Sequence, residues 1–151
     1  MNILLDINDF NIENVFLMES KNNIVINGTF IRILYSCDFF TMNGIFVLFP
    51  ILNFERKYFN GKNIMYFDIK SNFDTISLFS NLESDIIDFY IIKNGIKNKK
   101  RVTTIGTQLK NGMIKYYNFT NHSFQNKFYL KISGIWETTA EIGITYKIIN
   151  Y

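Results

Sequence analysis

Residues 128–149, FYLKISGIWETTAEIGITYKII, narrow the range of folds more than any other part of this chain. They hold the only Trp, two of the eight Gly, and two apolar runs with a short polar joint. In FYLKIS, Phe128, Leu130 and Ile132 alternate with Tyr129, Lys131 and Ser133; in ITYKI, Thr145 and Lys147 alternate with Ile144, Tyr146 and Ile148. A period of two marks a half-buried strand, because successive side chains leave a pleated backbone on opposite faces. Two long neighbouring strands are expected, with Gly134 bulging the first and Trp136 in the core. If they pair, Tyr129, Lys131 and Lys147 share an outward surface.

The rest of the chain reads as what those strands pack against. VFLM at 15–18 is a short strand. NNIVI, Asn27-Gly28 and TFIRILYS form a hairpin signal, because both turn residues tolerate the positive φ of a type I′ turn. DFFTM, Asn43-Gly44 and IFVLF repeat it, and Pro50, which has no backbone donor, ends that strand. RKYFNGK at 56–62 reads as a polar turn, and NIMYFDIK at 63–70 as a further strand. At Ser71 the period changes. Ser71 to Asp74 resembles a capping box, and Ile76, Phe79, Leu82, Ile86, Ile87 and Tyr90 fall on one helical side. Glu83 interrupts the stripe. Gly95 stops the helix, with Lys93 in its last turn. TTIGTQL, Lys110-Asn111-Gly112 and MIKYYNF read as a third hairpin, and NHSFQN as a loop.

Several short strands, one helix at about 74–94 and several more strands suit a mostly-β single domain over residues 1–151. Residues 1–14 would be an edge strand or arm. The expected architecture is a small antiparallel barrel of the oligonucleotide-binding (OB) type, which often carries a helix between its third and fourth strands; the alternative is a β-sandwich. A hydrophobic fraction of 48% and an aromatic fraction of 17% supply a core. No run approaches the roughly 20 apolar residues of a membrane helix, so no membrane partner is expected. The start has four acids by Glu19 and no base before Lys21, unlike a secretory signal or a mitochondrial presequence. Cys37 is alone, so an intracellular setting is the expectation, and the glycosylation-type triplets at Asn27, Asn118 and Asn121 reflect abundant Asn.

No catalytic or metal signature stands in the sequence, so no enzyme and no cofactor are expected. His122 sits alone in a polar loop, and Cys37 has no sequence neighbour to activate it. Charge is more informative. Residues 1–92 carry 6 bases and 11 acids, and residues 93–151 carry 10 bases and 2 acids. The basic half interleaves Lys with aromatic residues, the two types that single-stranded nucleic acid requires: cations follow phosphates and rings stack on bases. The candidate contacts are Lys97, Lys99, Lys100, Arg101, Lys115, Tyr117, Lys127, Tyr129, Lys131 and Lys147. Outward lysines on a sheet also serve solubility and edge protection. The run 97–101 and the strand lysines must share a face for all ten to act together.

The segments FIRILYSCDFFTMNGIFVLFP and LKISGIWETTAEIGITYK together resemble uncharacterised small proteins of large nucleocytoplasmic DNA viruses. In element order the chain is also similar to phage-type single-stranded DNA-binding proteins, which have an OB barrel and usually an acidic tail with a terminal aromatic; here the sequence reads KIINY, aromatic without the acids. The resemblance implies a viral protein of the host cytoplasm, viral factory or virion. Its expected role is non-enzymatic binding of single-stranded nucleic acid. The alternative is a structural or assembly protein partnered by a second copy or another viral protein.

Overall fold

The computed structural model describes residues 3–23, 25, 27–119 and 125–151. Its strands are β1 (Val15–Asn23), β2 (Gly28–Ser36), β3 (Thr41–Met42), β4 (Ile45–Leu48), β5 (Phe54–Phe59), β6 (Lys62–Phe67), β7 (Lys100–Val102), β8 (Met113–Asn118), β9 (Phe128–Glu137) and β10 (Glu141–Asn150). Two α-helices interrupt them, α1 (Phe73–Asn94) and α2 (Thr104–Lys110). The fold is mostly β, as the alternation implies.

β9 and β10 are the centre of one mixed sheet, with strand order β1-β2-β9-β10-β8-β6-β5. They pair antiparallel along almost their whole length, from Ile142 opposite Glu137 to Asn150 opposite Phe128. The register slips by one residue at Ser133, just before Gly134. β10 also receives β7 and β8 in parallel, at its two ends. The sheet does not close, because β1 and β5 are its two edges. The closed antiparallel barrel expected from the strand order is therefore replaced by an open mixed sheet.

One face of this sheet carries the core. Phe128, Leu130, Ile132, Ile135, Ile144 and Ile148 are buried there with Ile76, Phe79, Leu82, Ile86 and Ile87 of α1. Each such side chain contributes roughly 1.5–3 kcal/mol by leaving water. Phe49 meets Phe79 edge-on at 5.0 Å between ring centroids. The helix covers this face, so a sandwich of two sheets is not formed. The amino-terminal arm joins along the free side of β4: Leu48 N–H donates to Leu5 O at 2.8 Å, and Leu5 N–H to Phe46 O at 2.8 Å.

Several local expectations are corrected. Gly28 already lies in β2 opposite Asn23, so the β1–β2 turn is longer than a two-residue Asn27-Gly28 turn. Asn43-Gly44 does not join paired strands: β3 pairs with β2, while β4 moves onto β9. The type I′ pair is Asn60-Gly61, with φ of 50° and 75°, and it joins β5 to β6 through the segment read as a polar turn. The capping box does not form. Ser71 donates instead to the Asp68 carboxylate, and Asn72 is the helix N-cap, with its side chain bonded to Leu52 and Asp68. Gly95 ends α1 in the left-handed region, as expected.

TTIGTQL is a helix, not a strand. Its own N-cap, Thr103, makes no side-chain cap bond. Glu83 supplies the acceptor from the neighbouring helix: Ile105 and Gly106 N–H each donate to its carboxylate at 2.9 Å. The residue that broke the apolar stripe of α1 thus satisfies the free donors at the start of α2.

Candidate nucleic-acid interface

The face of the sheet away from the helices is built by the same alternation that fills the core. Lys131 on β9 lies opposite Lys147 on β10. Phe46 flanks Lys131 from β4. On the other side, Lys115 of β8 pairs with Ile64 of β6, which pairs with Lys57 of β5. The outward positions thus form a transverse row of lysines, with neighbouring strands about 4.8 Å apart. Like charges placed directly opposite each other destabilise a sheet, and Lys131 and Lys147 are such a pair.

Aromatic rings accompany the row. The Lys115 and Lys147 ammonium groups lie 4.7 and 5.0 Å from the centroid of the Tyr117 ring. Lys131 sits 5.7 Å from Phe46, and Lys57 sits 4.9 Å from Tyr66. Tyr129 packs between Phe46 at 6.0 Å and Tyr151 at 5.4 Å. Burial, reinforced by Tyr151, raises its phenol above the ordinary range, so it stays neutral at physiological pH. The Phe30 and Trp136 rings continue the paving, lying against Gly134 and Gly143, where a Cβ would collide with them. Trp136 is therefore on this face and half-buried, not in the core.

Among the described residues the ion pairs are Lys99–Glu137 and Arg101–Asp88, so none of the row lysines is neutralised by one. These pairs divide the ten sequence candidates. Lys115, Tyr117, Tyr129, Lys131 and Lys147 come together. Lys99 donates to Glu137 and to Thr138 O on the helix side, where the Tyr90 hydroxyl also donates to Glu137 at 2.7 Å. Burial works against ionisation of Glu137, but the Lys99 and Tyr90 bonds and the Lys99 charge outweigh it and hold the carboxyl below its ordinary value. Arg101 is occupied by Asp88 of α1. Lys100, opposite Glu141, is six residues along β10 from Lys147, about 20 Å. Lys97 is exposed in the loop after α1. Lys127 is exposed just ahead of β9, where its carbonyl accepts from Asn150 and Tyr151. The run 97–101 therefore does not act with the strand lysines.

The sequence reading missed the partners from the acidic half, Phe46, Lys57 and Tyr66. The Asn60-Gly61 turn between aromatic-rich runs was the available signal for the hairpin that carries two of them. Elsewhere, Cys37 is half-buried in the β2–β3 turn, and His122 lies outside the described residues. No group of three or more His, Cys, Asp or Glu among the described residues is placed to hold a metal. No helix there is long and apolar enough to cross a membrane. No protein-family model, curated protein or solved structure matches the chain.

Proposed function

We propose that the outer sheet face binds single-stranded nucleic acid without catalysing a reaction. The observation that carries this is the lysine row: Lys131, Lys147 and Lys115 on three successive strands, without an ion pair among the described residues, beside the rings of Tyr117 and Tyr129. The strand runs across the β-strands. Its phosphates follow Lys131, Lys147, Lys115 and Lys57, and its bases displace ammonium groups from the ring of Tyr117 and stack there. The likeness to OB-type proteins is one of use, an aromatic and basic β-face that takes unpaired bases. A duplex, whose bases are already stacked, gains only the phosphate contacts.

Fluorescence anisotropy with labelled oligonucleotides at low salt tests this. Single strands are expected to bind more tightly than a duplex of the same sequence. Tyr117→Ala should lose about 1–3 kcal/mol on single strands and little on duplex. Equal affinity for both forms, or no binding at low salt, contradicts the proposal.

A second reading has its own support. The open edges of the sheet carry exposed apolar side chains: Phe16 (49% exposed) and Met18 (46%) on β1, and Tyr58 (73%) and Phe59 (65%) on β5. Unpaired edges of this kind can template contact with another chain. In this reading the protein is an assembly component, and light scattering on a sizing column should show a concentration-dependent oligomer; a strict monomer across the range removes self-assembly.

A further inference from the structure

A concavity of about 190 Å³ opens where β1 runs beside β2, lined by Met18, Glu19, Lys21, Phe30 and Arg32. It arises from a bulge. The pairing passes from Leu17 opposite Ile33 to Ser20 opposite Ile31, so Met18 and Glu19 together face Arg32. The extra residue bends the edge strand and re-aims its side chains. Phe30 provides an apolar wall that is held in place, because its ring rests on Gly134. The volume is below the roughly 300–1,000 Å³ of pockets for drug-sized ligands and suits one planar ring system. Among the described residues no ion pair occupies Lys21, Arg32 or Glu19. The pocket also continues the basic face: Arg32 is opposite Gly134, three residues along β9 from Lys131, or about 10 Å.

We propose that this pocket seats the terminal nucleotide of the bound strand, with the base against Phe30 and a terminal phosphomonoester between Lys21 and Arg32. It rests on the reading of the outer face as a single-strand track. Two cations at one small site suit a dianionic monoester better than a singly charged diester, and a guanidinium can hold a phosphate through two parallel bonds. Glu19 at the same mouth disfavours a chain of further phosphates and leaves a carboxylate to accept from a base amino group. The position on an edge strand places the end of the track at the end of the sheet.

The test compares one short oligonucleotide carrying a 5′-phosphate, a 3′-phosphate or only hydroxyl ends, with a nucleoside monophosphate as a separate probe followed by backbone NMR shifts. One phosphorylated end is expected to bind about tenfold more tightly than the hydroxyl form, the worth of one charge-assisted hydrogen bond. Arg32→Gln, an exposed substitution that leaves the core intact, should abolish that preference, whereas Lys147→Ala should weaken all three oligonucleotides alike. Equal affinity of all three, with no shifts around Phe30 and Arg32, overturns the pocket and leaves the track standing. Shifts around Phe30 and Arg32 from the monophosphate, without binding of any oligonucleotide, support the pocket and remove the track. Absence of both overturns both.

Discussion

Glu83 is 1% exposed, and burial pushes its carboxyl above the ordinary value of 4.5, although the Gly106 and Ile105 amides and the Lys110 charge favour ionisation. The sign of its effect on stability follows. Below the ordinary value the group is protonated in folded and unfolded chains alike. Above its raised value the folded protein buries a charge that the unfolded chain keeps in water, so its contribution to stability falls as pH rises through that window. Glu83→Gln removes the titration. Urea unfolding from about pH 4 to pH 7 should show wild type losing stability relative to the variant as pH rises; a difference that is flat or grows in favour of wild type contradicts this. Asp68 and Glu137, whose carboxyls are lowered, act in the opposite sense but are common to both proteins. Gly134 makes a second claim at this scale. A Cβ there would stand 2.2 Å from Ile31 O and 2.7 Å from the Phe30 ring. Gly134→Ala is expected to cost about 3 kcal/mol or more, because backbone of β2 must move; unfolding within about 0.5 kcal/mol of wild type would show that the sheet yields there.

At the scale of elements, the β9–β10 pair was legible because alternation holds over Phe128–Ile132 and Ile144–Ile148, and it also assigned Lys131 and Lys147 to one surface; the extra residue at Ser133 inverts the faces beyond it, which is why Trp136 read as core. α1 was legible for the same kind of reason, an uninterrupted 3.6-residue pattern except at Glu83. α2 was not. Its Thr and Ile favour strands, its centre holds Gly106, and the carboxylate that satisfies its first amides comes from 22 residues away. β6 was legible as the strand read at NIMYFDIK, but β5 was not, since the stretch before Asn60-Gly61 is polar enough to pass for a turn. The Lys131–Lys147 pair gives the prediction proper to this scale. Lys131→Glu replaces opposed like charges with an opposite pair, so stability should rise by about 0.2–1 kcal/mol. Affinity for single strands should fall by about tenfold or more, through a lost phosphate contact and an added repulsion. Chemical unfolding and anisotropy on the same variant check both halves. A variant that binds as tightly as wild type makes these lysines solubilising residues.

For the whole molecule, composition and patterning were enough for a mostly-β chain with two-sided strands, but not for its closure. Whether a sheet closes depends on how its edges meet, and here β4 replaces β2 along β9, and β7 and β8 share β10, through contacts no local pattern encodes. The same limit governed charge. The run 97–101 supplied four of the ten sequence candidates, yet Glu137, 38 residues from Lys99, and Asp88, 13 residues from Arg101, neutralise two of its members. What remains is a two-sided molecule, with a helix layer on one face of the sheet and, on the other, a lysine row that makes no ion pair among the described residues. The most direct check on that account is the salt dependence of single-strand affinity. Phosphate contacts release counterions, so log affinity should fall with log salt with a slope of about −0.7 per contact, or about −3 for Lys57, Lys115, Lys131 and Lys147 together. Lys115→Ala with Lys147→Ala should make the slope shallower by about 1.4. A wild-type slope near zero, or a double variant whose slope and affinity match wild type, would contradict the assignment of this face.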